Sequence, residues 1–138
     1  MISIIIDTHI FLWLMEGSKE LHSSEIKLIN KVINNGQILV SAISIWEIAM
    51  LQKLKKISLS IPIKDWISKS VSQKGIKIAE IDIATLIESV HLPGNFHKDP
   101  ADRIIVATSR TKKVPLLTHD GRIINYGEEG HLQLATVA

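Results

Sequence analysis

Two kinds of hydrophobic pattern alternate along the chain. Short, nearly continuous apolar runs rich in β-branched residues occur at Ile2–Ile6, Ile38–Ser41 and Val114–Thr118, as expected of strands covered on both faces. Ile76–Ile81 alternates like a strand, and Leu132–Val137 reads as a last one. Between them lie segments with helical spacing. Thr8–Glu16 is closed by Gly17, and Ser23–Asn35 carries Ile26, Ile29 and Ile33 on one face before Gly36. Ile43–Lys55 is apolar nearly all round. Pro62 opens a helix running to about Lys74, Asp82–Leu92 stops at Pro93-Gly94, Pro100–Lys112 has proline in its first turn, and Gly121–Tyr126 is short. Strands alternating with helices predict an α/β domain, with a central mainly parallel sheet and helices on both faces.

At 138 residues the chain has the length of a single domain. With 46% hydrophobic and 22% charged residues it is neither disordered nor of low complexity. The absence of cysteine excludes disulfides, thiolate nucleophiles and cysteine-ligated metal centres. A net charge of +2 is too small to mark a nucleic-acid binder by bulk electrostatics. The longest wholly apolar run, Ile10–Met15, is far short of the ~20 residues of a membrane span. Asp7 interrupts the apolar start with no basic segment before it, which argues against a signal peptide, and the absence of cysteine is compatible with the cytoplasm.

In a parallel α/β sheet, sites form beyond the carboxyl ends of the strands. Asp7, Glu47, Asp99, Asp102 and Asp120 each follow a strand or open a helix. Each has a capping explanation of its own. Ser44-Ile45-Trp46-Glu47 fits a capping box, Asp99-Pro100-Ala101-Asp102 fits an N-cap with proline behind it, and Asp7 and Asp120 could cap the helices that follow. Together they pose a different problem. Four carboxylates roughly 6 Å apart repel by about 2.8 kcal/mol per pair, roughly 17 kcal/mol in all at the upper end. Helix termini return at most about 8 kcal/mol. If the acids converge, some are protonated or a cation sits among them, and an all-oxygen set suits Mg²⁺ or Mn²⁺. Such a centre in a small α/β domain points to phosphate chemistry.

Four segments, IIIDTHIFLWLM (Ile4–Met15), VSAISIWEIAM (Val40–Met50), HKDPADRIIVATS (His97–Ser109) and LLTHDGRI (Leu116–Ile123), occur in the order found in a known family. With them the sequence resembles the PIN domain and, within it, the VapC-type toxin ribonucleases of toxin–antitoxin systems. The resemblance implies a PIN-like three-layer sandwich spanning residues 1–138 and a metal-dependent endoribonuclease. It implies Asp7, Glu47, Asp102 and Asp120 as catalytic, metal-binding acids with Mg²⁺ or Mn²⁺. Asp99, Thr8, Ser44 and Thr118 would support them, and His97 and Arg103 are candidates for substrate contact. It also implies an RNA substrate, a cognate antitoxin and a homodimer. Cleavage by in-line attack of an activated water would leave 5′-phosphate and 3′-hydroxyl ends, with preference for RNA set by shape and contacts.

Beside aspartates, Arg103 is expected to form a structural ion pair before it touches phosphate. His9 and His119 read as loop histidines. Trp13, Trp46 and Trp66 read as packing residues, and the apolar excess around Ile10–Met15 and Trp46 as partner surface. Lys53, Lys55 and Lys56, and Arg110, Lys112 and Lys113, read as solvated runs, with an RNA track as the alternative. A catalytically silent PIN-like module that binds RNA or protein is the competing function, and the complete acid set argues against it. A receiver-type domain would need paired acids after the first strand, where Asp7 stands alone, and no phosphate-binding glycine loop is present.

Overall fold

The computed structural model describes residues 2–135. The elements are β1 (Ile2–Ile6), α1 (Thr8–Glu16), α2 (Ser23–Asn35), β2 (Gly36–Ser41), α3 (Ala42–Lys53), α4 (Ile63–Val71), β3 (Ile76–Ala79), α5 (Ile83–Val90), α6 (Pro100–Lys112), β4 (Leu116–Leu117) and α7 (Gly121–Glu128). All pairings in the sheet are parallel, in the order β3-β2-β1-β4. The register sets Ile4 beside Ile38, Ile6 beside Val40, and Ile5 beside both Leu39 and Leu116.

That register sorts the side chains onto two buried faces, because successive strand residues point to opposite sides. Ile4, Ile6, Ile38 and Val40 pack with Ile10 and Phe11 of α1, Ile29 and Val32 of α2, Ile48 of α3 and Trp66 of α4. Ile5 and Leu116 pack on the other face with Ile105 and Val106 of α6 and Ile123 and Tyr126 of α7. The three-layer α/β sandwich expected from the sequence is thus the observed one. Gly17 closes α1 in the left-handed region at φ 64°, where an L side chain would be strained. At Gly36 a side chain would strike the Ile2 carbonyl, so glycine lets β2 approach β1.

The expected last strand is reduced to one parallel bridge, Leu134 to Leu116, and its last two positions lie outside the described residues. β4 is shorter than expected because Ser109 Oγ takes the Val114 carbonyl at 2.6 Å, and Pro115 has no amide to donate. The apolar surplus of α1 is core and not partner surface: Ile10, Phe11 and Leu12 are buried. The exposed apolar face lies instead on α5, where Ile83, Leu86, Ile87 and Val90 are 77%, 47%, 57% and 71% exposed. Trp46 is also exposed, whereas Trp66 is buried edge-on against Phe11 at 5.5 Å. No helix among the described residues is long and apolar enough to cross a membrane.

Candidate functional site

The strand order places β2 and then β3 on one side of β1, and β4 on the other. The chain therefore reverses its winding at β1, and a crevice opens beyond the carboxyl ends of β1 and β4. Asp7 follows β1 and Asp120 lies three residues past β4, so both stand at this crevice. Glu47 reaches it from α3, and Asp99 and Asp102 from the start of α6. All five acids line one cavity of about 360 Å³, together with Thr8, His9, Trp13, His119 and Arg122.

Several of these acids are also caps. Asp7 Oδ1 accepts the Ile10 amide at 3.0 Å. Asp99 Oδ1 accepts the Asp102 amide at 3.0 Å. Asp120 Oδ1 accepts the amides of Arg122 at 2.8 Å and Ile123 at 3.3 Å. The capping box expected at Ser44–Glu47 is absent. Ser41 is the N-cap of α3, its Oγ accepting the Ile43 amide at 3.2 Å. Ser44 is buried and accepts the Thr8 hydroxyl at 2.9 Å, which joins the starts of α1 and α3. Glu47 therefore lies a turn and a half into the helix, with no hydrogen-bond or ion-pair partner among the described residues.

Thr118 ties the crevice together. Its hydroxyl donates to Asp7 Oδ2 and accepts the Asp120 amide at 2.9 Å. Burial pushes the Asp7 carboxyl above its ordinary range, against the opposing hydrogen bonds from Thr118 and Ile10. Asp102 is pushed up to about 7, first by burial and then by repulsion from Asp99, Asp120 and Glu47, with Arg122 opposing. Asp120 feels burial too, but hydrogen bonds from the side chain and backbone of Arg122 and from Ile123 hold it below the usual range. The Arg122 guanidinium, 3.3 Å from Asp120 and 3.6 Å from Asp102, is the one cation lining the cavity among the described residues.

His97 sets Nε2 3.1 Å from Asp102 Oδ2, off the line of a hydrogen bond, and that nitrogen has no other partner among the described residues. Burial, followed by the charge of Arg122, lowers its pKa. Arg103 departs from expectation. It donates to the carbonyls of Ser89 at 2.8 Å, Phe96 at 3.0 Å and His97 at 3.1 Å, with no carboxylate partner among the described residues. It ties the end of α5 and the following loop to α6, and it does not line the cavity. Arg110 is likewise engaged, with Glu88 and the His131 carbonyl.

Sequence reasoning passed over Arg122 and Glu25. The signal for Arg122 was its place two residues after Asp120. Glu25 is buried at the third position of α2, where it accepts the His22 amide at 2.8 Å and meets His119 Nε2 at 2.7 Å. Trp13 packs as expected but also lines the cavity, its ring 5.0 Å from that of His119 and 5.8 Å from that of His9.

An all-oxygen donor set fits a hard divalent cation. Asp7, Glu47, Asp102 and Asp120 could hold one, since Glu47 has no competing partner among the described residues and Asp102 is ionised only at a cost. Among the described residues, however, the three side chains whose ligating atoms lie within 4.8 Å of one another are His22, Glu25 and His119.

Residues 4–129 match the PIN domain family, to which the chain belongs. Among characterised relatives, it is 28% identical over 123 residues to Ribonuclease VapC22 of Mycobacterium tuberculosis, covering 89% of this chain and 91% of that protein. Its fold is shared with a solved structure of VapBC2 from Rickettsia felis bound to a promoter DNA fragment, with a TM-score of 0.70, 14% identity and coverage of 97% and 98% of the two chains. It is likewise shared with a toxin–antitoxin complex from Klebsiella pneumoniae, with a TM-score of 0.64, 18% identity and coverage of 98% of each chain.

Proposed function

We propose that this chain is the toxin of a toxin–antitoxin pair, a metal-dependent endoribonuclease that hydrolyses RNA phosphodiesters, with residues 1–138 forming one PIN-like domain. The observation that carries this reading is the gathering of Asp7, Glu47, Asp99, Asp102 and Asp120 into one cavity, where Asp102 is pushed up to about 7. The relative called a ribonuclease and the toxin–antitoxin complexes of the same fold support it.

Asp7, Glu47, Asp102 and Asp120 are the catalytic acids and would hold Mg²⁺ or Mn²⁺. When bound, the cation supplies a water of lowered pKa and offsets the charge on the phosphodiester. Thr118 holds Asp7 and the Asp120 backbone in one arrangement, so the acids of β1 and β4 move as a unit. The Thr8–Ser44 hydrogen bond fixes α3, and with it Glu47, relative to Asp7. Asp99 caps α6 and orients Asp102, which His97 flanks. Arg122 is the group placed to meet a phosphate entering an otherwise anionic cavity, and Trp13, His9 and His119 form an aromatic wall for a base.

A cognate antitoxin and action in the cytoplasm belong to this reading, as does a homodimer. The four apolar side chains of α5 offer a second copy a continuous face at helical spacing. Purified protein should cleave RNA with Mg²⁺ or Mn²⁺ and stop on chelation. Glu47→Gln, which breaks no cap or hydrogen bond, should fold normally and not cleave. Undiminished cleavage by Glu47→Gln, or activity surviving chelation, overturns the assignment. Binding of RNA without cleavage by the native chain returns the silent-module reading.

A further inference from the structure

We propose that His22, Glu25 and His119 form a second metal site, distinct in chemistry from the acid cavity, that takes a borderline first-row cation of the Zn²⁺ type. Their ligating atoms lie within 4.8 Å of one another. His119 Nε2 is 2.7 Å from Glu25 Oε2, and His22 Nδ1 is 3.5 Å from Oε1 of the same carboxylate. Donors around one tetrahedral ion stand roughly 3.3 Å apart, given bonds of about 2.0–2.1 Å. Small side-chain movements therefore bring all three onto a single cation.

A hydrogen-bonded pair would need only one imidazole. Here a second one, His22, lies tilted beside His119 with ring centroids 5.1 Å apart and turns a nitrogen to the same carboxylate. Glu25 is buried and fixed by the His22 amide at 2.8 Å, so the anionic ligand is oriented in advance. His22 is 70% exposed at its side chain, leaving an open path and room for water as a fourth ligand. Two imidazoles and one carboxylate favour Zn²⁺ over Mg²⁺, which prefers oxygen and octahedral geometry.

The position gives the ion a consequence. His22 and Glu25 belong to the start of α2, while His119 lies between Thr118 and Asp120. A bound cation would fasten α2 to the loop that holds the acid cavity, stabilising the folded state by mass action. The site does not depend on the proposed nuclease.

The test is a Zn²⁺ titration of Asp7→Asn protein in excess Mg²⁺, by calorimetry and thermal melting. The background is chosen because asparagine also caps helices. One equivalent of Zn²⁺ should bind and raise Tm. Adding His22→Asn, which keeps a good N-cap but removes a ligand, should abolish both, as should Glu25→Gln. Co²⁺ in place of Zn²⁺ should give visible absorption that the His22→Asn chain lacks. Absence of Zn²⁺ binding to Asp7→Asn, or binding that His22→Asn leaves unchanged, overturns the site. Neither result bears on cleavage, which is read on the otherwise native chain.

Discussion

Asp7 and Asp82 each cap a short helix, and each accepts the amide three residues on, Ile10 at 3.0 Å and Thr85 at 2.8 Å. Beyond that bond the two sites diverge. Asp7 is 6% exposed and its pKa is raised, chiefly by burial. Asp82 is exposed, and the hydrogen bonds from the backbone and side chain of Thr85 hold its pKa down. The helices differ in the same sense, since α1 buries Ile10 and Phe11 while α5 presents Ile83, Ile87 and Val90 to solvent. Position in the sheet explains the contrast. Asp7 follows β1, which is paired on both sides, at the point where the winding reverses, and Asp82 follows β3 at the edge. Between Asp7 and Asp82 the cap is the same local device, and the place of the preceding strand in the sheet separates the one that faces the crevice from the one that does not.

The most severe way to break this comparison is to neutralise both caps. Asp7→Asn should lower RNA cleavage by about 10³-fold, the scale of losing one electrostatic stabiliser in a closed site. Asp82→Asn should leave cleavage unchanged. Initial rates with Mg²⁺, alongside circular dichroism to confirm the fold, decide it. Equal losses in the two variants would mean that the strand position confers nothing.

Next in size is the cost of keeping the acid cavity charged. Asp102 has a folded pKa of about 7 against 3.8 for the free side chain, so the folded state holds its proton more tightly. Stability contributed by that proton is present below pH 3.8 and is lost as pH rises toward 7. Asp102→Asn removes the dependence. In chelator, the variant should exceed the native chain by about 2 kcal/mol at pH 8 in urea unfolding, the full shift being discounted for solvent screening. The same substitution should abolish cleavage, so one residue would trade stability for function.

These two experiments also mark how far the sequence could be read. Strand runs such as Ile2–Ile6 and the helix-closing glycines gave the layers directly, because burial on both faces leaves a continuous apolar signature. The acids could be named but not brought together, since convergence depends on strand order, and strand order leaves no trace in local spacing. Ser44 misled for a related reason. Its S-x-x-E spacing fits a capping box, but Ser41 starts the helix earlier and Ser44 turns inward to Thr8. The burial of α1 and exposure of α5 were equally hidden, because Ile10–Leu12 and Ile83–Val90 are similarly apolar and only the neighbouring elements distinguish them. Arg103 stood beside two aspartates in the sequence, yet its partners are carbonyls of a distant loop.

A third, smaller effect sharpens the difference between the two helices. If α5 meets a second copy, Ile87→Asp should raise the dimer dissociation constant by about 30-fold, the scale of losing one well-packed interface side chain. Sedimentation velocity over a concentration series reads it directly. The fold should survive, because Ile87 is 57% exposed and the buried residues of α5 are Thr85 and Ser89. A native chain that remains monomeric at high concentration would remove the homodimer from the reading.

The smallest effect concerns Asp82 itself and completes the contrast with Asp102. Its folded pKa lies below the ordinary 3.8, so it contributes stability that is present above pH 3.8 and is lost as pH falls through the folded value. Asp82→Asn keeps the cap but removes the charge, and should therefore lower Tm slightly near neutrality and meet the native curve as pH falls through the folded value. Asp102→Asn should act over the opposite range, between pH 3.8 and about 7, and with the opposite sign. Melting curves of the two variants across pH 2–9 should depart from the native curve on opposite sides, Asp102→Asn above it and Asp82→Asn below it. A shared sign would mean that the two carboxyls experience the same environment, which is incompatible with one lying in a crowded anionic crevice and the other at the free end of an edge helix.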